Sequence, residues 1–291
     1  MSVSPTCPCL SCPTHGGPAR THRCPAYPSS TSDVQWALLE PFLPPAGNMG
    51  GKGGRHEKHP RRLVLDAIFY VVSGGIAWRA LPREFPPAMT VYDIFRRWVK
   101  TGAWQRIHDA LRDQARVRAG RKATPTAAII DSQSVRGADT VPAASRGWDN
   151  GKKVGGRKRH LAVDCLGLVL AVVVTAASVQ DRDGAHPLLA LLRERFSTIS
   201  LVWADGGYAG RLVTWATKTM HLAVTVAKRT QDMTGFVVLP RRWVVERTFA
   251  WISKSRRCVR DYETLPAHHE AMIHLAMIML ISRRLTRTTN Q

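Results

Sequence analysis

From residue 126 onward the chain alternates short apolar runs with amphipathic stretches, and this alternation constrains the fold more than any single motif. Residues 126–131 (TAAIID) form an apolar run that ends in a carboxylate, with polar Ser132 and Gln133 after it. Residues 160–175 read as two strands joined at Asp164-Cys165-Leu166-Gly167, a hairpin signal. Asp183-Gly184 opens a helix running to about residue 196, and residues 201–204 form a strand ending at Asp205-Gly206-Gly207. Residues 208–219 suit a helix and 223–227 another strand. A helix from residue 241 and a final apolar helix over about 266–285 follow. Strands and helices in this order predict an α/β fold, a mixed sheet flanked by helices.

The stretch 241–263, RRWVVERTFAWISKSRRCVRDYE, holds neither Pro nor Gly and spaces its apolar residues as a helix does. Trp243, Phe249 and Ala250 can share a face with Glu246, and Arg242 lies four residues before it. A lone acid on such a basic helix is either neutralised by an arginine or holds a metal. Two further acids stand at strand ends, Asp131 and Asp205. Carboxylates at strand ends can converge at the lip of a sheet. Three of them together would repel unless cations bound them, and two Mg²⁺ ions clamped by acids suit in-line phosphoryl transfer. The other acids are read more plainly: Asp164 as a turn residue, Asp181 and Asp183 as helix-start residues, Asp139 and Asp149 as solvated.

The first half has a different texture. Residues 1–31 are rich in Pro, Cys, Ser and Thr and read as a disordered tail. Cys7, Cys9, Cys12, His15, His22 and Cys24 fall close together, but their spacing matches no zinc-ligand pattern. Cys165 and Cys258 are isolated and expected to be reduced. Ser32-Asp33 is a plausible start for VQWALLEPFL, and RRLVLDAIFYVVSGG is a buried helix closed by Gly74-Gly75. Thr90 is placed to cap TVYDIFRRWVKTG, and AWQRIHDALRDQARVRAG makes a further amphipathic helix. Together these suggest an all-helical, helix-turn-helix-like module over residues 32–120, with Arg96 and Arg97 on its DNA-facing helix.

Charge narrows the choice of partner. The chain carries 42 Lys and Arg against 21 Asp and Glu, a net charge of +21 and a pI near 10.7. Such an excess points to a polyanion, with nucleic acid the default. Residues 136–160 read as a Gly-rich basic loop that orders on DNA, supplying Lys152, Lys153, Arg157, Lys158 and Arg159 as phosphate contacts and Trp148 for stacking. The apolar runs 166–177 and 271–281 are too short to span a bilayer, and no basic flank precedes an apolar run at the N-terminus. A cytoplasmic protein is expected.

Five blocks in order, IIDSQSVRG, KKVGGRKRHLAVD, VQDRDGA, VWADGGYAG and RRWVVERTFAWISKSRRCVRDYE, resemble bacterial insertion-sequence transposases of the DDE type, closest to the insertion sequence five group. The similarity runs from about residue 32 to 284, leaving the tail 286–291 outside. The resemblance implies an RNase H-like catalytic domain over residues 121–285 behind the helical module. It implies a metal-holding triad of Asp131, Asp205 and Glu246 working with two Mg²⁺ (or Mn²⁺) ions. The implied partners are double-stranded DNA, as the element's terminal inverted repeats and the target, and a second copy of the chain. The implied location is the bacterial nucleoid. Arg242 matches the family's Arg four before the Glu and, with Lys254, is expected to contact DNA. Leu239 stands where the family has Tyr, and Ser253, followed by Lys254, where it has Lys. The expected activity is cutting and joining of DNA; a metal nuclease of the same fold and a DNA-binding remnant are the rival readings.

Overall fold

A computed structural model describes residues 27–45, 57–226 and 243–287. Residues 1–26 of the expected tail, the Gly-rich stretch 46–56, residues 227–242 and 288–291 lie outside the described residues, whereas 27–31, also expected in that tail, are ordered, with Thr31 buried on Asp66. Helix α1 (Asp33–Leu39) begins with a capping box, in which Gln35 N donates to the Ser32 hydroxyl while Ser32 N donates to the Gln35 side chain. Helix α2 (Arg61–Gly74) ends at Gly75, whose φ of 71° is left-handed and costs glycine little. A Cβ there would also meet the Arg256 backbone, so Gly75 lets α2 approach the segment after the last helix but one. Helix α3 (Ala88–Lys100) starts two residues ahead of Thr90: Pro87 occupies the N-cap with no side-chain hydrogen bond, so the expected threonine cap is not used. Helix α4 (Ala103–Arg118) completes the first half.

Six strands follow: β1 (Ala127–Arg136), β2 (Gly147–Asp149), β3 (Val154–Val163), β4 (Val169–Ala176), β5 (Leu201–Ala204) and β6 (Ala223–Val226). Interleaved with them and after them come α5 (Asp181–Arg195), α6 (Arg211–Met220), α7 (Trp243–Ser253) and α8 (Pro266–Thr286). The sheet runs β4-β3-β1-β5-β6, with β2 also on β3. Strand β1 pairs antiparallel with β3 and parallel with β5, and β5 pairs parallel with β6. This is the mixed, helix-flanked sheet with a helical front that the sequence predicts.

Three expectations about extent are corrected. Strand β1 does not end at Asp131 but continues to Arg136, because β3 pairs with it residue by residue through Arg136 and Gly156. The basic stretch is not a loop from 136 to 160; from Val154 it is a full-length inner strand. Helix α7 stops at Ser253, and beyond it Asp261 N donates to Arg136 O and Ala138 N to Asp261 O, an isolated bridge beside the end of β1. Tertiary hydrogen bonds override local helix preference there.

The apolar residues form two clusters, one on each side of the sheet. One holds Ala128, Ile130, Ala162 and Leu170 with α5 and α6. The other holds Ile129, Leu161, Val163 and Val172 with α7 and α8, and it continues without a break into α1, α2, α3 and α4. Helix α8 is the hub, touching α1, α2, α3, α4, α7 and β4. The change near residue 120 is thus a change of secondary structure that the packing crosses. Among the described residues no helix is long and apolar enough to cross a membrane.

Candidate active site

Asp131 lies in β1, and Asp205 directly follows β5, its parallel neighbour. In the parallel pair β1–β5, Ala127 faces Leu201 and Ile129 faces Trp203, and the paired register ends two residues before each carboxylate. That is the point where β5 ends and β1 continues, so the two strands part at the carboxylates. Successive strand residues alternate sides. Ile129 lies in the cluster with α7 and Ile130 in the one with α5, so Asp131 faces the α7 side. Each carboxylate has one oxygen fixed by backbone: Ser132 N donates to Asp131 Oδ1 at 2.7 Å, and Gly207 N to Asp205 Oδ1 at 2.9 Å. Asp205 thereby caps the short turn Gly206–Tyr208.

Glu246 sits in the first turn of α7, exposed. Val244, Val245, Phe249 and Ile252 seat that helix on the sheet, and α7 packs against both β1 and β3. Glu246 therefore rises from the layer that Asp131 faces. Among the described residues no three His, Cys, Asp or Glu side chains are gathered closely enough to hold one ion. Arg242 lies outside the described residues.

Beneath the carboxylates is a polar cluster that the sequence reading did not assemble. Tyr208 is buried, and burial together with the charges of Asp131, Asp181 and Asp205 pushes its phenol well above the ordinary value. A Tyr208 hydroxyl held neutral beside those acids is a donor in reach of their field. Lys158 Nζ donates to Val179 O at 2.8 Å and lies 2.8 Å from Asp181 Oδ1 and 3.4 Å from Asp149 Oδ2. Burial alone would raise the Asp149 carboxyl, but the Ser134 hydroxyl, the Lys152 N–H and the Lys158 ammonium hold it at about 2. Asp149, expected to be solvated, is buried. Burial would likewise raise Asp181, and Lys158, Ser132 and Lys152 lower it instead. His160 rests on the Cα of Gly184, where any Cβ would collide with the imidazole. The signal for this cluster was available: alternation along 157–160 puts Lys158 and His160 on the α5 side, opposite Arg157 and Arg159.

The basic residues divide sharply. Arg157, Lys158 and Arg159, expected to meet phosphate, are buried in β3. Arg157 Nη1 lies 3.0 Å from Asp261 Oδ2 and donates to Glu263 O at 2.8 Å. Arg159 donates to Gln133 Oε1 from Nε at 2.9 Å and to Cys258 O at 2.9 Å. Charge buried at this depth has to be paired, and here it is consumed in holding β3 to its neighbours. Lys152, Lys153, Lys254, Arg96 and Arg97 are exposed.

The comparisons with known proteins agree with this frame. Residues 122–281 match the family described as "Transposase DDE domain", and residues 31–108 match "Putative transposase of IS4/5 family". The chain is 35% identical over 112 residues to the "Insertion element IS402 uncharacterized 16.2 kDa protein" of Burkholderia cepacia, covering 36% of this chain and 71% of that one. It is 30% identical over 139 residues to the "Putative transposase for insertion sequence element IS402" of the same organism, covering 45% and 65%. The chain thus spans about two thirds of the length of these relatives. The first family match alone covers more than half of the sequence and contains the sheet, Asp131, Asp205, Glu246 and the polar cluster: the chain belongs to the DDE transposases of bacterial insertion sequences.

Proposed function

We propose that this protein cuts the ends of an insertion sequence and joins the freed 3′-hydroxyl to target DNA, with Asp131, Asp205 and Glu246 as its catalytic carboxylates. What supports the reading is that Asp131 and Asp205 each lie two residues beyond the last paired residues of β1 and β5, while α7, which bears Glu246, packs on β1. Transposases with this domain use divalent metal ions. Carboxylates, each with one oxygen oriented by a backbone N–H, are the donor type that suits a hard cation such as Mg²⁺ or Mn²⁺. Asp131, Asp205 and Glu246 would hold two such ions, which when bound supply charge neutralisation at the attacking and leaving oxygens. The chain's own part is positioning. The backbone donors fix the rotamers of Asp131 and Asp205, and seating α7 on β1 sets how far Glu246 stands from them. The exposed cations Lys152, Lys153, Lys254, Arg96 and Arg97 bind DNA phosphate, joined by Arg242. Arg96 and Arg97 on α3 face the element's terminal repeats. The protein works as a homodimer on DNA in the cytoplasm, at the nucleoid.

Asp131→Asn tests the assignment. It deletes a carboxylate but no phosphate contact, so cleavage and strand transfer of terminal-repeat DNA should fall by at least about a thousandfold, the scale of losing a key electrostatic group. Affinity for the same DNA should change by less than about threefold, because phosphate contacts dominate it. Full cleavage by the Asn variant would remove Asp131 from the site.

A further inference from the structure

Outside the carboxylates, the cations of α7 and α8 stack with tryptophans in a way the mechanism above does not use. Trp243, Arg247 and Trp251 recur every four residues along α7 and so share one face. The Arg247 guanidinium lies 4.4 Å from the centre of the Trp243 ring and 4.5 Å from that of Trp251. From α8, Arg284 adds a second guanidinium 4.0 Å from the Trp251 ring centre. The four groups form an alternating indole–guanidinium ladder. Arg247 Nη2 donates to Leu166 O at the β3–β4 turn at 3.0 Å, which fixes the ladder to the hairpin. Its Nε is buried without a hydrogen-bond partner.

Beside the ladder is a cavity of about 400 Å³ between α4, the hairpin and the ends of α7 and α8. Arg118, Arg247 and Arg284 line it together with Trp251, and no carboxylate does. Arg118 is occupied, donating to the Arg284 and Leu285 carbonyls at the end of α8 and to Arg287 O just beyond it at 3.0 Å. Arg247 and Arg284 are two like charges close to one indole, and Arg284 is made easier to deprotonate by burial and then by Arg247. Two guanidiniums held together with no acid in the cavity wall favour a bound anion. The outer face of Trp243, 45% exposed, leaves the ladder open at the end next to Glu246. An anion with a flat ring that stacks on an indole is a nucleotide, and a base reaches Trp243 only when it is unpaired.

We propose that the Trp243–Arg247–Trp251–Arg284 ladder binds an unpaired stretch of the DNA strand, with phosphate at Arg247 and Arg284 and a base on Trp243. The inference rests on the DNA-handling role proposed above. Its test reads binding alone, so it is independent of whether cutting occurs. The full-length protein is titrated with a short oligothymidylate and with a mixed-sequence duplex of equal length. Trp243→Ala should weaken oligothymidylate binding about tenfold, the scale of one lost base stack, with less than about twofold change on duplex. Arg284→Ala should lower the single-strand salt slope by about 0.7, one phosphate contact. Both side chains are exposed, so both variants keep the core. Photocrosslinking with iodouracil in the oligonucleotide should map to Trp243 and fail in Trp243→Ala. Equal losses on both probes, an unchanged single-strand affinity, or crosslinks only elsewhere would overturn the ladder while leaving the transposase reading in place. A wild-type protein that binds neither probe would overturn both.

Discussion

Strand β3 and the outer helices α3, α7 and α8 are all rich in cations, yet they use them in opposite ways. In β3, Arg157, Lys158 and Arg159 are buried; the first two meet acids, and Arg159 meets the Gln133 side-chain oxygen and the Cys258 carbonyl. On α3 and α8 and just past the end of α7, Arg96, Arg97, Arg284 and Lys254 are exposed. Arg96 pairs loosely with Asp93 at 3.8 Å and lies over the Tyr92 ring. Net charge therefore overstates the surface that DNA meets. The inner cations are fasteners between distant segments, and the outer ones are the electrostatic face.

The sharpest way to break this contrast is Arg157→Ala. It leaves Asp261 buried without its guanidinium and should cost about 3–5 kcal/mol in urea unfolding. The salt dependence of DNA binding by the remaining folded protein should be unaltered. A stable variant with a flatter salt slope would put Arg157 among the outer cations.

Acid should strike the inner region next. Burial is the main cause holding His160 down to about 4, with Lys158 and Lys152 adding to it against Asp181; buried His274 and His108 are lowered too, first by burial. A histidine whose folded pKa is depressed stabilises fully above its unfolded pKa near 6.5. That stability is lost as pH falls from there through the folded value, because the unfolded chain takes the proton first. For His160 the window is about 6.5 to 4 and the loss about 3 kcal/mol. A melting temperature that is flat across this window would mean that His160 is charged in the folded state.

The smallest effect on stability belongs to the outer cations. Arg96→Ala with Arg97→Ala should shift unfolding by no more than about 0.5 kcal/mol and reduce the salt slope of duplex binding by about 0.9 for each lost phosphate contact. An unchanged slope would take α3 off the DNA.

Much of this was legible from sequence, where local chemistry decides. The Ser32 start of α1, the Gly75 stop of α2, the Asp164–Gly167 hairpin and the end of β5 at Asp205 are all set by residues close in the chain. The failures are long-range. Ser132, Gln133 and Ser134 look like loop and are strand because β3 pairs with them. Arg157 and Arg159 look like phosphate ligands because Asp261, Glu263 and Cys258, about a hundred residues away, are invisible to local reading. Asp131 was read as an acid at a strand end and lies within the strand, because β3 carries β1 on to Arg136.

Helix α8 closes the apolar cluster for α1 to α4, yet it is made last. Between Arg118 and Pro266 the ribosome must add the whole sheet, which at roughly 5–20 residues per second takes on the order of ten seconds. For that interval Phe95, Trp104, Ile107 and Leu111 lack the partners Met272, Leu275 and Ile278. The nascent front half thus emerges with its greasy side bare, a client for chaperones until the final helix arrives. A polypeptide released before α8 would leave the same side permanently uncovered.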